Sequence, residues 1–294
     1  MFKIKTLFAV ALFSIPTIHY CQYTDQINSN RPGETMSAYS VGKSVFQVET
    51  GIYGIQEKHA ILSYDANGFG LDMTLRYGFF REKLEFVADF QYQYEKLNPS
   101  LIYPDKSGLK QTVFGAKYLI YDPFKNYKEK VNLYSWKANK AFNWHQLIPA
   151  FSAFVGANMI FSDSPYAFTP DASISPKIAL ITQNQFDGGR WVFVTNIIAD
   201  YIGSDFPSYG YIATLTRGFN SKWSGFIENQ GFKSDFYSDA IIRGGAAYLL
   251  SKNIQIDTSI STSLKNTPSI LYGGVGFSWR YDGNYKEVRM DKNN

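Results

Sequence analysis

Cysteine and histidine are scarce in this chain, and their scarcity excludes several kinds of chemistry. Cys21 is the only cysteine among 294 residues, so the chain forms no internal disulfide and offers no thiolate metal site. His59 and His145, the two histidines beyond the N-terminal leader, lack a second histidine or a group of acids at ligand spacing, so no metal or cofactor site is predicted. No serine stands in a Gly-x-Ser-x-Gly setting, and we expect no enzyme.

Charge and long apolar runs are limited as well. Charged residues make up 18% of the chain and the formal net charge is +4 without a basic stripe, so nucleic acid is not an expected partner. No segment after the leader approaches the roughly 20 apolar residues that a spanning helix needs. Aromatic residues are instead abundant, with 24 Phe and 22 Tyr. This composition is typical of a sheet in which every second residue faces lipid and the others face water.

The first 21 residues have the pattern of a secretory signal peptide. Lys3 and Lys5 precede an apolar run over residues 7–15, which Pro16 and polar residues follow. We place cleavage after Cys21. A lipoprotein, in which Cys21 carries the acyl chains, is the alternative, but bulky Tyr20 stands where such a signal has a small residue. The chain is therefore expected to leave the cytoplasm for the outer membrane of a diderm bacterium.

Apolar residues recur with a period of two from Ser44 onward, which indicates β-strands. Residues 84–95 give the clearest case, because acids and amides alternate there with Leu, Phe, Ala and Tyr. Twelve such segments are predicted, over residues 45–56, 69–80, 83–95, 109–121, 148–161, 173–184, 191–202, 209–218, 222–232, 239–250, 254–263 and 270–281. We therefore predict an all-β chain, an antiparallel transmembrane β-barrel of about 12 strands over residues 44–281.

An even number of strands places both termini on one side of the membrane, the periplasmic side. Turn-forming residues between strands predict tight inner connections, and the outer connections are predicted as longer loops, over residues 57–68, 96–108, 162–172, 203–208, 233–238 and 264–269. The inner segment 122–147 is longer; we interpret it as a loop, with an amphipathic element on the membrane surface as the alternative. Residues 22–43 are predicted to be irregular and able to enter the lumen as a plug, and residues 282–294 to form a polar tail.

The polar face of each predicted strand must point inward, because a charge facing lipid near the midplane costs about 2–4 kcal/mol for Arg or Lys. The predicted lumen-lining residues are Glu49, Asp72, Arg76, Glu85, Asp89, Lys117, Lys177, Asn196, Asp200, Glu228, Arg243, Asp257 and Arg280. These groups either line a pore or pair across the lumen and fill it. On the other face of the last strand, Phe277, Trp279 and Tyr281 are predicted to form an aromatic girdle at the membrane interface. This ending also resembles the signal that the barrel-assembly machinery reads.

Eight segments matter by their order and spacing along the chain: Asn30–Pro32, Gln47–Gly51, Leu75–Gly78, Gly115–Tyr118, Phe226–Asn229, Gly244–Leu250, Gln255–Asp257 and Gly274–Tyr281. Through these segments, nearly the whole mature chain resembles the family of outer-membrane transporters named for the MetA pathway of phenol degradation. Asn30 departs from the acid that the family usually has there. The resemblance implies an outer-membrane barrel that passes small molecules, without fixing the substrate.

We therefore expect a passive transporter or channel for small molecules, hydrophobic or aromatic ones included, whose partners are outer-membrane lipid, a small-molecule solute and, during biogenesis, the barrel-assembly machinery. The alternative is a closed structural or receptor barrel, or a subunit of an envelope complex, without transport activity. Conductance would separate the two.

Overall fold

The computed structural model describes residues 26–99, 102, 104–125, 127, 134, 144–159, 164–166, 174–235 and 237–283. It contains twelve β-strands: β1 (Val45–His59), β2 (Tyr64–Gly78), β3 (Leu84–Asn98), β4 (Lys106–Tyr121), β5 (Ala150–Met159), β6 (Ile174–Phe186), β7 (Trp191–Asp200), β8 (Ser208–Gly218), β9 (Trp223–Ser234), β10 (Ser238–Ser251), β11 (Ile254–Ser263) and β12 (Ser269–Asp282). A short 3-10 helix, Trp144–Leu147, precedes β5. The predicted leader and most of the polar tail lie outside the described residues.

The strands form one closed antiparallel barrel, which confirms the predicted fold class. Each strand pairs with its neighbours in sequence, and β1 closes the sheet by pairing with β12, with Val45 opposite Asp282 and Lys58 opposite Ser269. Closure satisfies the backbone hydrogen-bonding groups of both edge strands, which is a requirement for a sheet in a membrane. No helix among the described residues is long and apolar enough to cross a membrane.

Alternation of side chains along each strand decides which of them point into the barrel. On β3, Glu85 and Val87 are buried whereas Phe86 between them is exposed. Large apolar side chains are exposed around the outside, among them Ile52 at 58%, Val155 at 60% and Ile260 at 61%. A shift of one residue would exchange the two faces, so the charged set fixes the register.

The barrel has two distinct rims. We call the rim that carries the start of β1 and the end of β12 the inner rim, and the opposite one the outer rim. The tryptophans of the described residues all lie near the inner rim, at Trp144, Trp191, Trp223 and Trp279. Phe277, Trp279 and Tyr281 are exposed on the outward face of β12.

The prediction of a long outer loop over residues 57–68 was wrong. β1 continues to His59 and β2 begins at Tyr64, so only residues 60–63 remain as a turn. Likewise, β3 and β4 extend through most of the polar residues of the predicted loop 96–108. The outward residues Lys58 and Asp65 are polar, so the apolar alternation stops there although the hydrogen-bonded ladder continues between them. Of the inner segment 122–147, interpreted above as a loop, the structure describes only residues 122–125, 127, 134 and 144–147.

Candidate functional site

Residues 26–43, here called the luminal segment, run through the inside of the barrel without regular secondary structure. Its second half follows the wall strand by strand. The Thr35 hydroxyl donates to Thr214 of β8 (2.9 Å), and the Met36 amide donates to Asn196 of β7 (2.7 Å). The Ala38 amide donates to Gln183 of β6 (3.0 Å).

The same path continues over the next three strands. Ser152 of β5 donates to the Ala38 carbonyl oxygen (2.5 Å), and Lys117 of β4 donates to the carbonyl oxygens of Ser37 (2.8 Å) and Tyr39 (3.0 Å). The Val41 amide donates to Glu85 of β3 (2.8 Å). From Thr35 to Val41 the segment therefore moves by about one strand per residue.

The first half of the luminal segment contacts the six remaining strands. The contacts are Asn30 N to Glu49 of β1 (3.0 Å), Arg76 of β2 to Asn28 O (2.7 Å), Ser29 to Ser278 of β12 (2.8 Å), Gln255 of β11 to Arg31 O (3.1 Å), Glu34 N to Glu228 of β9 (3.0 Å) and Glu34 with Arg243 of β10 (3.5 Å). All twelve strands thus bind it. Wall side chains provide the partners that a non-helical, non-sheet backbone needs when it is buried.

Four fully buried charges form the centre of this contact. Arg76 bonds Glu85 (2.8 Å) and Glu49 (2.8 Å), and Lys117 lies 3.2 Å from Glu85. The four side chains, two cations and two anions, are at most 1% exposed. Because the charges balance, the network avoids leaving an isolated ion in a buried position.

Arg31 is held flat against the barrel wall. It bonds Asp72 and lies 3.3 Å from Asp257. A Cβ at Gly51 or at Gly276, which are opposite each other in β1 and β12, would overlap the guanidinium in its observed position, so the two glycines leave room for it there. Burial lowers the pKa of Arg31, but the carboxylates of Asp72 and Asp257 raise it by a larger amount. The pKa of Arg31 therefore lies above its ordinary value. Arg31 therefore finds its acids on the wall, although residue 30 is Asn.

Every predicted lumen-lining residue is buried or half-buried on the inward face. Ten of the thirteen contact the luminal segment: Glu49, Asp72, Arg76, Glu85, Lys117, Asn196, Glu228, Arg243, Asp257 and Arg280. Of the other three, Asp89 and Lys177 line a cavity beside the segment, and Asp200 bonds wall residues. Lys177 pairs with Asp200 (2.8 Å), and Asp89 accepts a bond from Thr74 (2.9 Å).

The luminal segment divides the interior into two chambers. The chamber toward the outer rim has a volume of about 380 Å³, and Tyr53, Asp89, Lys110, Lys177 and Tyr272 are among its lining residues. The chamber toward the inner rim has about 390 Å³. Among the described residues, Arg31 is the only charged one that lines it, and amides and hydroxyls, including Gln183, Gln185 and Thr216, form much of the rest. Asn30, Arg31, Pro32 and Gly33 line both chambers and form the partition between them.

Lys110 is a chamber residue that the sequence reasoning missed. A β-bulge shifts the register so that Gln91 faces Gln111 and Tyr92 faces Leu109, which turns Lys110 inward beside Gln111. Its ammonium donates to Gln93 (3.2 Å) and lies 5.7 Å from the ring centre of Tyr272. Among the described residues, no carboxylate lies within 4 Å of it.

Neither His59 nor His145 lines either of these two chambers. His59 ends β1 at the outer rim, and His145 stacks on Tyr127 near the inner rim with ring centres 3.8 Å apart. Within the described ranges, no group of three or more His, Cys, Asp or Glu residues is arranged to hold a metal ion.

A closed twelve-stranded sheet with an apolar exterior and a charged interior defines a transmembrane β-barrel. The chain belongs to the family described as "Putative MetA-pathway of phenol degradation", whose sequence profile matches residues 29–281. Its sequence gave no match among curated proteins.

Solved structures resemble this barrel at low sequence identity. The COG4313 outer membrane channel from Pseudomonas putida F1 is 11% identical, with a TM-score of 0.55 over 87% of this chain and 100% of that chain. The translocator domain of the autotransporter NalP from Neisseria meningitidis is 9% identical, with a TM-score of 0.48 over 82% of this chain and 89% of that chain. At 11% identity the likeness to the COG4313 channel shows the fold alone.

Proposed function

We propose that this protein is an outer-membrane channel for small molecules, and that the luminal segment controls passage through it. The observation that carries this proposal is the interior itself: two chambers meet at a partition formed by one stretch of four consecutive residues, Asn30 to Gly33. Each chamber has the volume of an ordinary small-molecule site. A modest displacement of these four residues would therefore join the chambers into a path across the membrane.

The proposed placement in the membrane rests on the two rims. Tryptophan is enriched at membrane interfaces, and the described tryptophans gather near the inner rim, where the chain also enters and leaves the barrel. We assign this rim, both termini and the tail 282–294 to the periplasm. The leader 1–21 would direct export, and the aromatic end of β12 suits delivery by the barrel-assembly machinery.

The solute class is proposed from the chamber walls and the family description. The outer chamber combines Tyr53 and Tyr272, whose ring centres are 5.9 Å apart, with the cation of Lys110. The inner chamber offers mainly amides and hydroxyls. Small aromatic molecules that carry a polar group, as phenols do, fit both walls. The protein's own contribution is selection and passage, without catalysis.

Two disulfide staples would test the control of passage. Ser29 and Ser278 have hydroxyl oxygens 2.8 Å apart, and Thr35 and Thr214 have theirs 2.9 Å apart, on opposite parts of the segment. The variants Ser29→Cys/Ser278→Cys and Thr35→Cys/Thr214→Cys, each with Cys21→Ser, would lock the segment to the wall when oxidised. Conductance in planar bilayers and aromatic-solute uptake by liposomes are then measured before and after reduction.

The reduced double-cysteine variants should conduct, and the oxidised ones should not. Control variants that carry only one cysteine of each pair cannot form the disulfide, so their conductance should not change on oxidation. Equal flux through oxidised and reduced staples would show that the segment does not control passage. Absence of flux in the wild type and in the reduced variants would remove the channel proposal.

A closed structural or receptor barrel is the second candidate, and one observation favours it: the luminal segment bonds all twelve strands. In that case the segment is a permanent filling that stabilises the wall. Both staples would then leave a non-conducting protein non-conducting and would only raise its resistance to denaturant.

A further inference from the structure

Arg217 occupies an unusual position on the outside of the barrel. It is exposed on the outward face of β8, directly opposite Trp191 of β7 and one residue before the strand ends at the inner rim. Its guanidinium carbon lies 4.8 Å from the ring centre of Trp191 and 5.7 Å from that of Phe219. Across the described part of the chain, no carboxylate lies within 4 Å of it.

Phe219 can lie beside Arg217 because the next strand has no side chain there. Gly225 of β9 is the residue opposite Arg217, and a Cβ at Gly225 would come within 2.9 Å of the Phe219 ring. The two rings therefore hold the cation near the strand while its hydrogen-bond donors remain open to the outside. A cation held between aromatic rings, without an acid, is suited to an external anion.

The charge of the inner rim also favours an anion. Its exposed or half-exposed charged residues in the described ranges include eight bases, Lys43, Arg81, Lys83, Lys125, Arg190, Arg217, Lys222 and Lys252, against three acids, Glu82, Asp187 and Asp282. The outer rim carries five bases, Lys58, Lys96, Lys106, Lys233 and Lys265, with six acids, Glu57, Asp65, Asp105, Asp200, Asp205 and Asp235. The barrel is therefore electrostatically asymmetric along its axis.

We infer that Arg217, with Trp191 and Phe219, forms a binding site for the phosphate headgroup of an anionic phospholipid at the inner rim. Arg217 would bind phosphate oxygens with its planar set of donors, while the two rings lie at the level of the headgroups, where aromatic side chains are favoured. The surrounding basic rim would favour a net negative lipid over a zwitterionic one. The inference rests on the membrane placement given under the proposed function.

The test uses full-length protein in vesicles made of equal parts phosphatidylglycerol and phosphatidylcholine with the same acyl chains, in which one lipid or the other is brominated. Bromine quenches tryptophan fluorescence on contact, and the tryptophans of the described residues lie near the inner rim, so the ratio of quenching by the two lipids reports preference there. The compared variants are Arg217→Gln, Arg217→Lys and Lys233→Gln. Lys233 is the matched control, since it is exposed on the outward face of β9 at the outer rim.

The wild type and Lys233→Gln should prefer phosphatidylglycerol. Arg217→Gln should lose about fivefold in that preference, the effect of one basic residue near an anionic surface, and Arg217→Lys should recover part of it. Equal quenching by the two lipids in the wild type, or equal losses in Arg217→Gln and Lys233→Gln, would overturn the lipid site and leave the channel proposal standing. Absence of quenching by either lipid would instead refute the membrane placement itself.

Discussion

The buried network of Glu49, Arg76, Glu85 and Lys117 gives the sharpest stability prediction. Glu85 accepts bonds from Arg76 (2.8 and 3.1 Å) and from the Val41 amide (2.8 Å), and it lies 3.2 Å from Lys117. The substitution Glu85→Gln keeps the shape and can keep the bond from Val41. It removes one negative charge and leaves two cations against one anion in a fully buried space.

The expected loss follows from that imbalance. Removing one partner of a buried ion pair costs about 3–5 kcal/mol, because the remaining charge stays buried without compensation. At 1.4 kcal/mol for each factor of ten, the equilibrium constant for unfolding should rise by roughly a hundredfold to several thousandfold. Lys117→Gln, added to Glu85→Gln, restores the balance of charge, and an amide can still donate toward the carbonyl oxygens of Ser37 and Tyr39. The double variant should therefore be more stable than Glu85→Gln alone.

The assay is guanidinium unfolding of the protein in vesicles, followed by tryptophan fluorescence and extrapolated to water. Asp187→Asn is the control, because Asp187 and Arg190 form a pair at 3.8 Å with both side chains well exposed. It should cost less than about 1 kcal/mol. The reasoning fails if Glu85→Gln costs no more than Asp187→Asn, or if the double variant loses the sum of the two single losses.

Two further predictions concern the wall. Lys110→Gln removes a positive charge from the outer chamber, so it should shift the reversal potential in a salt gradient toward cation selectivity. Lys58→Gln, on the outward face of β1, should leave the reversal potential unchanged. An unchanged potential in Lys110→Gln would mean that ions do not pass Lys110. Phe154→Ala removes a fully buried inward side chain that packs against Gly115 and Gly156, and it should lower the free energy of unfolding, measured with guanidinium, by about 3–5 kcal/mol. Val155→Ala, at an exposed position, should lower it by less. Equal losses in the two variants would contradict this packing.

The division between inside and outside was predictable because it depends on neighbouring residues alone. On β3, Glu85 and Asp89 stand at odd positions, and Phe86 and Phe90 at even ones. Only one orientation of this strand keeps the ionised groups out of lipid, so all its odd-numbered side chains must point inward. The same reasoning gave the number of strands. The ends of the strands were less predictable. At the outer rim, β1 and β2 extend past the apolar outer surface, and their outward residues are polar there, so the alternation that marks a strand is lost.

Lys110 shows what local patterns omit. Counting in twos from Lys117 places residue 110 on the outward face, but the bulge opposite Gln91 and Tyr92 reverses that count. A bulge is a property of two paired strands, here separated by the turn between β3 and β4. No feature of residues 106–121 alone signals where the register shifts.

The course of the luminal segment lies still further from the local sequence, and it changes the meaning of the predicted lumen. The luminal segment has no periodicity, because its backbone is held by side chains such as Asn196 and Gln183 that are far away in the chain. Because ten of the thirteen predicted lumen-lining residues contact this segment, most of the wall's charge is used to hold it. The charged residues that line the outer chamber without contacting this segment are Asp89, Lys177, Asp239 and the unpredicted Lys110, and Lys177 pairs with Asp200. Selectivity should therefore respond to these few positions, whereas substitutions among the other ten should act mainly on stability and on the release of the segment.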